Sequence, residues 1–86
     1  MRDPATHVQI AFFRDGRLTA MPRRRPMMLA VCAQLASRFE AGRSYEETEV
    51  NAILADDAPD HATLRRHLVD EGFLRRDHGT YWRVER

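Results

Sequence analysis

The pattern of apolar and polar positions is sharpest over 60–71, DHATLRRHLVDE. Leu64 and Leu68 lie four apart, with Val69 and the methyl of Ala62 widening the stripe, which is the spacing of one helical face. The opposite side presents Thr63, Arg66, His67 and Asp70, with Arg65 on the flank. Asp60 stands where an N-cap carboxylate accepts from the free amides of the first turn and meets the positive end of the helix dipole. Pro59 keeps Ala58 out of helical conformation, and Gly72 supplies the left-handed closing residue. Two strand-like segments follow, 73–76 and 81–84, joined by Asp77, His78, Gly79 and Thr80. A capped helix that closes on glycine and leads straight into a hairpin predicts the second helix of a helix-turn-helix with a β wing behind it.

The rest of the chain supplies the scaffold for that pair. Met28, Cys32, Leu35 and Phe39 fall at i, i+4, i+7 and i+11, joined by Leu29 and Ala36, so a helix is predicted over 26–40, with Pro26 in its first turn and Gly42 ending it. A short strand over 43–45 has room to pair with the wing. A further helix over 46–54 or 46–55 places Val50, Ile53 and Leu54 on one face, and Ser44 with Glu47 offers a capping box. Upstream, the β-prone run 8–13, the turn pair Asp15-Gly16 and a returning segment 18–21 predict an N-terminal hairpin. The expected fold class is α+β: a winged helix-turn-helix of three helices with a small antiparallel sheet. Residues 1–7 are expected to be a loose terminus and 8–86 a single winged-helix-like domain.

Composition narrows the class. The 86 residues contain no apolar run near the ~20 a membrane span needs and no secretory signal pattern after Met1. A soluble, cytoplasmic protein is therefore expected, in keeping with one cysteine, Cys32, which fits the predicted apolar stripe better than a reactive site. The net charge of +1 conceals an asymmetry, since residues 1–43 carry +5 and residues 44–86 carry −4. All fourteen basic residues are arginine. Glu46, Glu47, Glu49, Asp56 and Asp57, on the helix and turn preceding 60–71, would lie near a duplex in a conventional docking and argue against tight binding.

Candidate binding residues follow from the exposed face. Thr63, Arg65, Arg66 and His67 are placed to enter a major groove, where arginine grips guanine edges and phosphates. Arg75 and Arg76 on the wing, and Arg23, Arg24 and Arg25 before the first long helix, are candidates for phosphate contact. The plainer alternative for each helical arginine is a pair with a carboxylate on a neighbouring helix, and for the triple arginine a solvated charge run. Tyr81 and Trp82 have the chemistry to stack on bases, but aromatics in the closing strand of so small a domain are expected to complete its core.

The segments FRDGRLTAMP, LASRFEAGRSYEETEVNAIL and DHATLRRHLVDEGFLRRDHGTYWR carry a resemblance, covering 12–83, to the bacterial family catalogued as domain of unknown function 2087. The motifs that carry the resemblance are EVN, ATLRR with LVDEGFL, and YW. At Glu46 the family often has threonine, and the departure bears on where the helix starts. The resemblance implies a winged-helix-like module, in some members appended to a transcription-factor domain, and it implies no established activity.

Catalysis finds no support in the residues. His7, His61, His67 and His78 lack metal-ligand spacing, and Gly16, Gly42, Gly72 and Gly79 are isolated, so no phosphate-cradling loop exists. No catalytic residue, metal, cofactor or small-molecule substrate is expected. The expectation is a nucleic-acid-binding module in bacterial transcriptional regulation with duplex DNA as partner; the alternative is an interaction or dimerisation module that binds a protein partner or a second copy of itself.

Overall fold

The computed structural model describes residues 7, 11–58 and 60–85; residues 1–6 of the expected terminus, the strand start at Val8 and the effect of Pro59 lie outside them. In chain order the elements are β1 (Phe13–Arg14), β2 (Arg17–Leu18), α1 (Arg25–Ala36), β3 (Ser44–Glu46), α2 (Glu47–Leu54), α3 (His61–Asp70), β4 (Leu74–Asp77) and β5 (Thr80–Arg83). The architecture is α+β, with three helices and two small antiparallel sheets among the described residues. It is compatible with the winged-helix-like arrangement that the sequence predicts.

Both hairpins use the same backbone device. Asp15 and Gly16 take φ of 53° and 79°, and His78 and Gly79 take 49° and 81°, the two positive values in succession that a type I′ turn requires. The C-terminal hairpin continues into a three-stranded sheet in the order β3-β5-β4, with Tyr45 opposite Tyr81 and Arg76 opposite Tyr81 on its other side. β3 and β4 are therefore its edges.

At the N-terminus the hairpin forms, but it is shorter than predicted. Ala11 and Phe12 are helical, so among the described residues of the β-prone run only Phe13 lies in a strand, β1, and the return strand stops at Leu18. A short apolar run does not separate helix from strand by periodicity.

Helix α1 begins as expected, with proline in its first turn, but it ends at Ala36 rather than at 40. Arg38 and Phe39 donate to Leu35 and Ala36 carbonyls at 3.1 and 3.0 Å, tight turns that swing Phe39 into the core. There it is 1% exposed and meets Tyr45 edge-on, with ring centroids 5.2 Å apart. Gly42, at φ 80°, serves the turn into β3 instead of closing the helix. The buried face is Val31, Cys32, Leu35 and Ala36, while Met28 and Leu29 are only half-buried, so the stripe is centred one turn further along than the sequence suggests. Cys32 is fully buried. Thiol labelling of the native protein is accordingly expected to be much slower than in denaturant; equal rates would put the register of α1 wrong.

The cap of α2 also moves by two residues. Ser44 lies in β3, and the carboxylate that reaches back is Glu49, accepting from the Glu46 amide at 3.1 Å. Helix α3 follows its sequence signals closely. The Asp60 carboxylate accepts from the amides of Ala62 and Thr63 at 3.0 and 3.2 Å, and the Thr63 amide is the main cause holding that carboxyl below its ordinary value. At the other end Phe73 donates to the Leu68 carbonyl at 2.8 Å and Gly72 to that of Val69 at 3.1 Å, the paired bonds of a Schellman closure around Gly72 at φ 79°. Leu64, Leu68, Leu35 and Phe39 share one core, with Ile53 packed at its margin.

A buried charge holds the N-terminal hairpin to the helices. The Asp57 side chain, 2% exposed, pairs with Arg38 at 2.5 Å and accepts from the Leu18 amide at 2.7 Å. Arg38 donates onward to the Gly16 carbonyl at 2.7 Å, and the Ala58 amide donates to Leu18 at 3.0 Å. Asp57 is therefore buried, whereas its place among the acids of the α2–α3 segment predicts an outward-facing carboxylate. A carboxylate can be withdrawn from water here because a guanidinium and an amide replace its hydration.

Candidate functional site

One face of α3, from Ala62 to Asp70, and the β4–β5 hairpin together bound a groove of about 340 Å³. Its lining includes Thr63, Arg65, Arg66, Asp70, Arg76 and Tyr81. Ala62 and Val69 complete the floor on the helix side. Ala62, assigned by its spacing to the core, is exposed. It lies two residues before Leu64, and two helical residues are more than half a turn apart. The groove-facing set is Ala62, Arg66, Val69 and Asp70, at i, i+4, i+7 and i+8, a pattern legible in the sequence once Leu64 and Leu68 are fixed as the buried face.

The predicted arginines have different surroundings. Arg66 is exposed, and among the described residues it has no ion-pair or hydrogen-bond partner. Arg65 is held against α2: its guanidinium donates to Asn51 Oδ1 and its Nε lies 3.9 Å from Glu47. Glu47 in turn accepts from the Tyr81 hydroxyl at 2.7 Å. That hydrogen bond, with Arg65 next in size, holds the Glu47 carboxyl below its usual value, while burial and then Glu47 push the Tyr81 hydroxyl upward. Asn51, Arg65, Glu47 and Tyr81 thus form one chain of polar contacts joining α2, α3 and β5, and Arg65 enters the groove as a side chain already fixed in place.

Strand alternation separates the two wing arginines. Arg76 is opposite Tyr81 and lines the groove, whereas Arg75 is opposite Trp82 and faces the other side of the sheet. Tyr81 is buried in the core and Trp82 is half-buried. Before α1, Arg23 and Arg24 are exposed, while Arg25 grips Glu71 with both terminal nitrogens, at 2.8 and 3.0 Å. That pair brings the arginine run to the C-terminal end of α3. Thr63 is exposed at the start of α3, and half-buried His67 is not among the groove residues. The structure therefore gathers Thr63, Arg65, Arg66 and Arg76 into one site, with Arg23 to Arg25 at the end of its helix and Arg75 turned away.

Much of the acidity preceding α3 is consumed internally. Glu47 serves Tyr81 and Arg65, Asp57 serves Arg38, and Glu49 pairs with Arg43 at 3.0 Å. Among the described residues there is no group of three or more His, Cys, Asp or Glu side chains that could hold a metal ion, and no helix is long and apolar enough to cross a membrane.

The sequence profile of a family described as an uncharacterised protein conserved in bacteria, DUF2087, matches residues 17–83. No curated protein matches the chain, and no solved structure does.

Proposed function

Because the chain belongs to the DUF2087 family of uncharacterised bacterial proteins, where membership assigns no ligand, we propose from the groove itself that this is a nucleic-acid-binding winged-helix module. It acts in transcriptional regulation in the cytoplasm and performs no catalysis. Duplex DNA is the partner. The observation that carries the reading is Arg66, exposed and unpaired in a groove that it shares with Arg65, Arg76 and Thr63.

In this reading α3 enters the major groove, Arg66 meets a base edge, and Arg76 reaches a flanking phosphate from the wing. Arg23 and Arg24 lie to one side for further phosphate contact. Internal pairing of Glu47, Glu49 and Asp57 removes much of the repulsion that the bare sequence implies.

The test is a salt titration of binding to random and genomic duplexes. Affinity is expected to fall steeply with salt, since each neutralised phosphate releases condensed counterions. Arg66→Ala is expected to weaken a preferred site by about 1–3 kcal/mol if the side chain reads a base, and all sequences alike if it touches phosphate only. No detectable binding at about 50 mM salt, where the electrostatic attraction is strong, would overturn the reading.

One feature favours a second reading, recognition of a protein partner or a second copy of the chain. From Pro26 to Ala36 helix α1 carries no charged residue, although Ala33 and Gln34 are exposed. Sedimentation of the free domain tests for the second copy, because DNA recognition by a single module requires no self-association.

A further inference from the structure

Asp70 lies in the groove with Arg66, four residues before it on the same helix, and with Arg65 and Arg76. It is exposed, and among the described residues no hydrogen bond or ion pair engages it, although three arginines line the same groove. For phosphate binding alone, a free carboxylate at that position is a liability. For reading bases it is selective.

An ionised carboxylate is acceptor-only. In the major groove guanine shows two acceptors, thymine an acceptor and a methyl group, and adenine a donor beside the N7 acceptor, whereas cytosine shows the N4 amine. Cytosine is thus the base that offers a carboxylate a donor with no acceptor beside it. Arg66 has the opposite character, donors only, and matches the O6 and N7 acceptors of guanine.

Resting on the DNA-binding reading above, we propose that Asp70 determines specificity by accepting from cytosine N4, while Arg66 contacts guanine close by. Side chains four apart on a helix are about 5–6 Å apart at Cβ. With base pairs stacked every ~3.4 Å, the two contacts fall one or two base pairs from each other. The preferred site contains a guanine and a cytosine at that separation, and Asp70 weakens binding to every sequence without the cytosine.

The experiment selects duplexes from a randomised pool with the wild-type chain, Asp70→Ala and Asp70→Asn, and then measures affinity for the selected duplex and for versions changed at the cytosine. Wild type is expected to prefer cytosine at one position by about fivefold or more, the lower end for a good base contact. Asp70→Ala should abolish that preference and bind random duplex more tightly than wild type does. Asp70→Asn should move the preference to adenine, whose donor and acceptor pair an amide matches. Equal tightening on all duplexes by both variants, with base preference unchanged, would show that Asp70 only repels phosphate and would overturn the inference while leaving DNA binding intact. Failure of wild type to bind any duplex would remove both.

Discussion

Arg38→Ala is expected to destabilise the protein by about 3–5 kcal/mol, the range for breaking a buried ion pair from one side. The substitution leaves the Asp57 carboxylate 2% exposed with the Leu18 amide as its remaining partner, and it also removes donors to the Gly16 and Ile53 carbonyls. The loss is structural as well as electrostatic, because these contacts hold β1 and β2 against the α1–α2 corner. Denaturant unfolding of the variant should show a large fall in midpoint, and Arg38→Lys should recover only part of it, since an ammonium does not reproduce the planar fork. A change within about 0.5 kcal/mol, the range of ordinary surface substitutions, would mean that the pair does not anchor the hairpin.

Leu68→Ala is expected to cost about 2–5 kcal/mol, as large-to-small substitutions in packed cores do. Leu68 is fully buried beside Leu64 in the common core. Its carbonyl also takes the Phe73 amide in the closure of α3, so collapse around the cavity is restrained by a backbone bond. For a domain of this size each kcal/mol shifts the thermal midpoint by roughly 4–8 °C, and the variant should melt at least about 8 °C lower. Leu68→Met, which keeps the volume, should cost less than about 1.5 kcal/mol. An unchanged midpoint for the alanine variant would show that α3 is not packed as described.

Local signals were legible in the sequence, and contacts between distant segments were not. The Asp60 cap, the Leu64–Leu68 face, the Gly72 closure and both hairpin turns depend on residues within a few positions of one another. Each appears where spacing and turn chemistry place it, except that the second turn narrows from 77–80 to His78-Gly79, with Asp77 and Thr80 paired across the strands. The end of α1 depends instead on Phe39 reaching Tyr45, and the burial of Asp57 depends on Arg38 and Leu18, partners that no local pattern names. At the candidate site Thr63 and Arg66 were visible from the helical wheel. The tethering of Arg65 was not, because Asn51 lies on another helix.

The same tether explains the motifs that identified the chain. Within EVN, Glu49 reaches back to the start of α2, Val50 is fully buried and Asn51 holds Arg65. In YW, Tyr81 is in the core and bonded to Glu47. Asn51 and Tyr81 thus hold the groove's sides together, while Thr63, Arg66 and Asp70 are the exposed residues within it.

The edges of the three-stranded sheet bear on how this protein behaves when crowded. An open strand edge is a template on which another chain can grow a fibril. Here one edge is β4, four residues long, with Arg75, Arg76 and Asp77 all exposed. The other is β3, only three residues long and ending in exposed Glu46. A second molecule adding to β4 in register would set arginine against arginine over a ladder too short to offset the repulsion, so aggregation through the sheet is disfavoured by the same strand that supplies Arg76 to the groove.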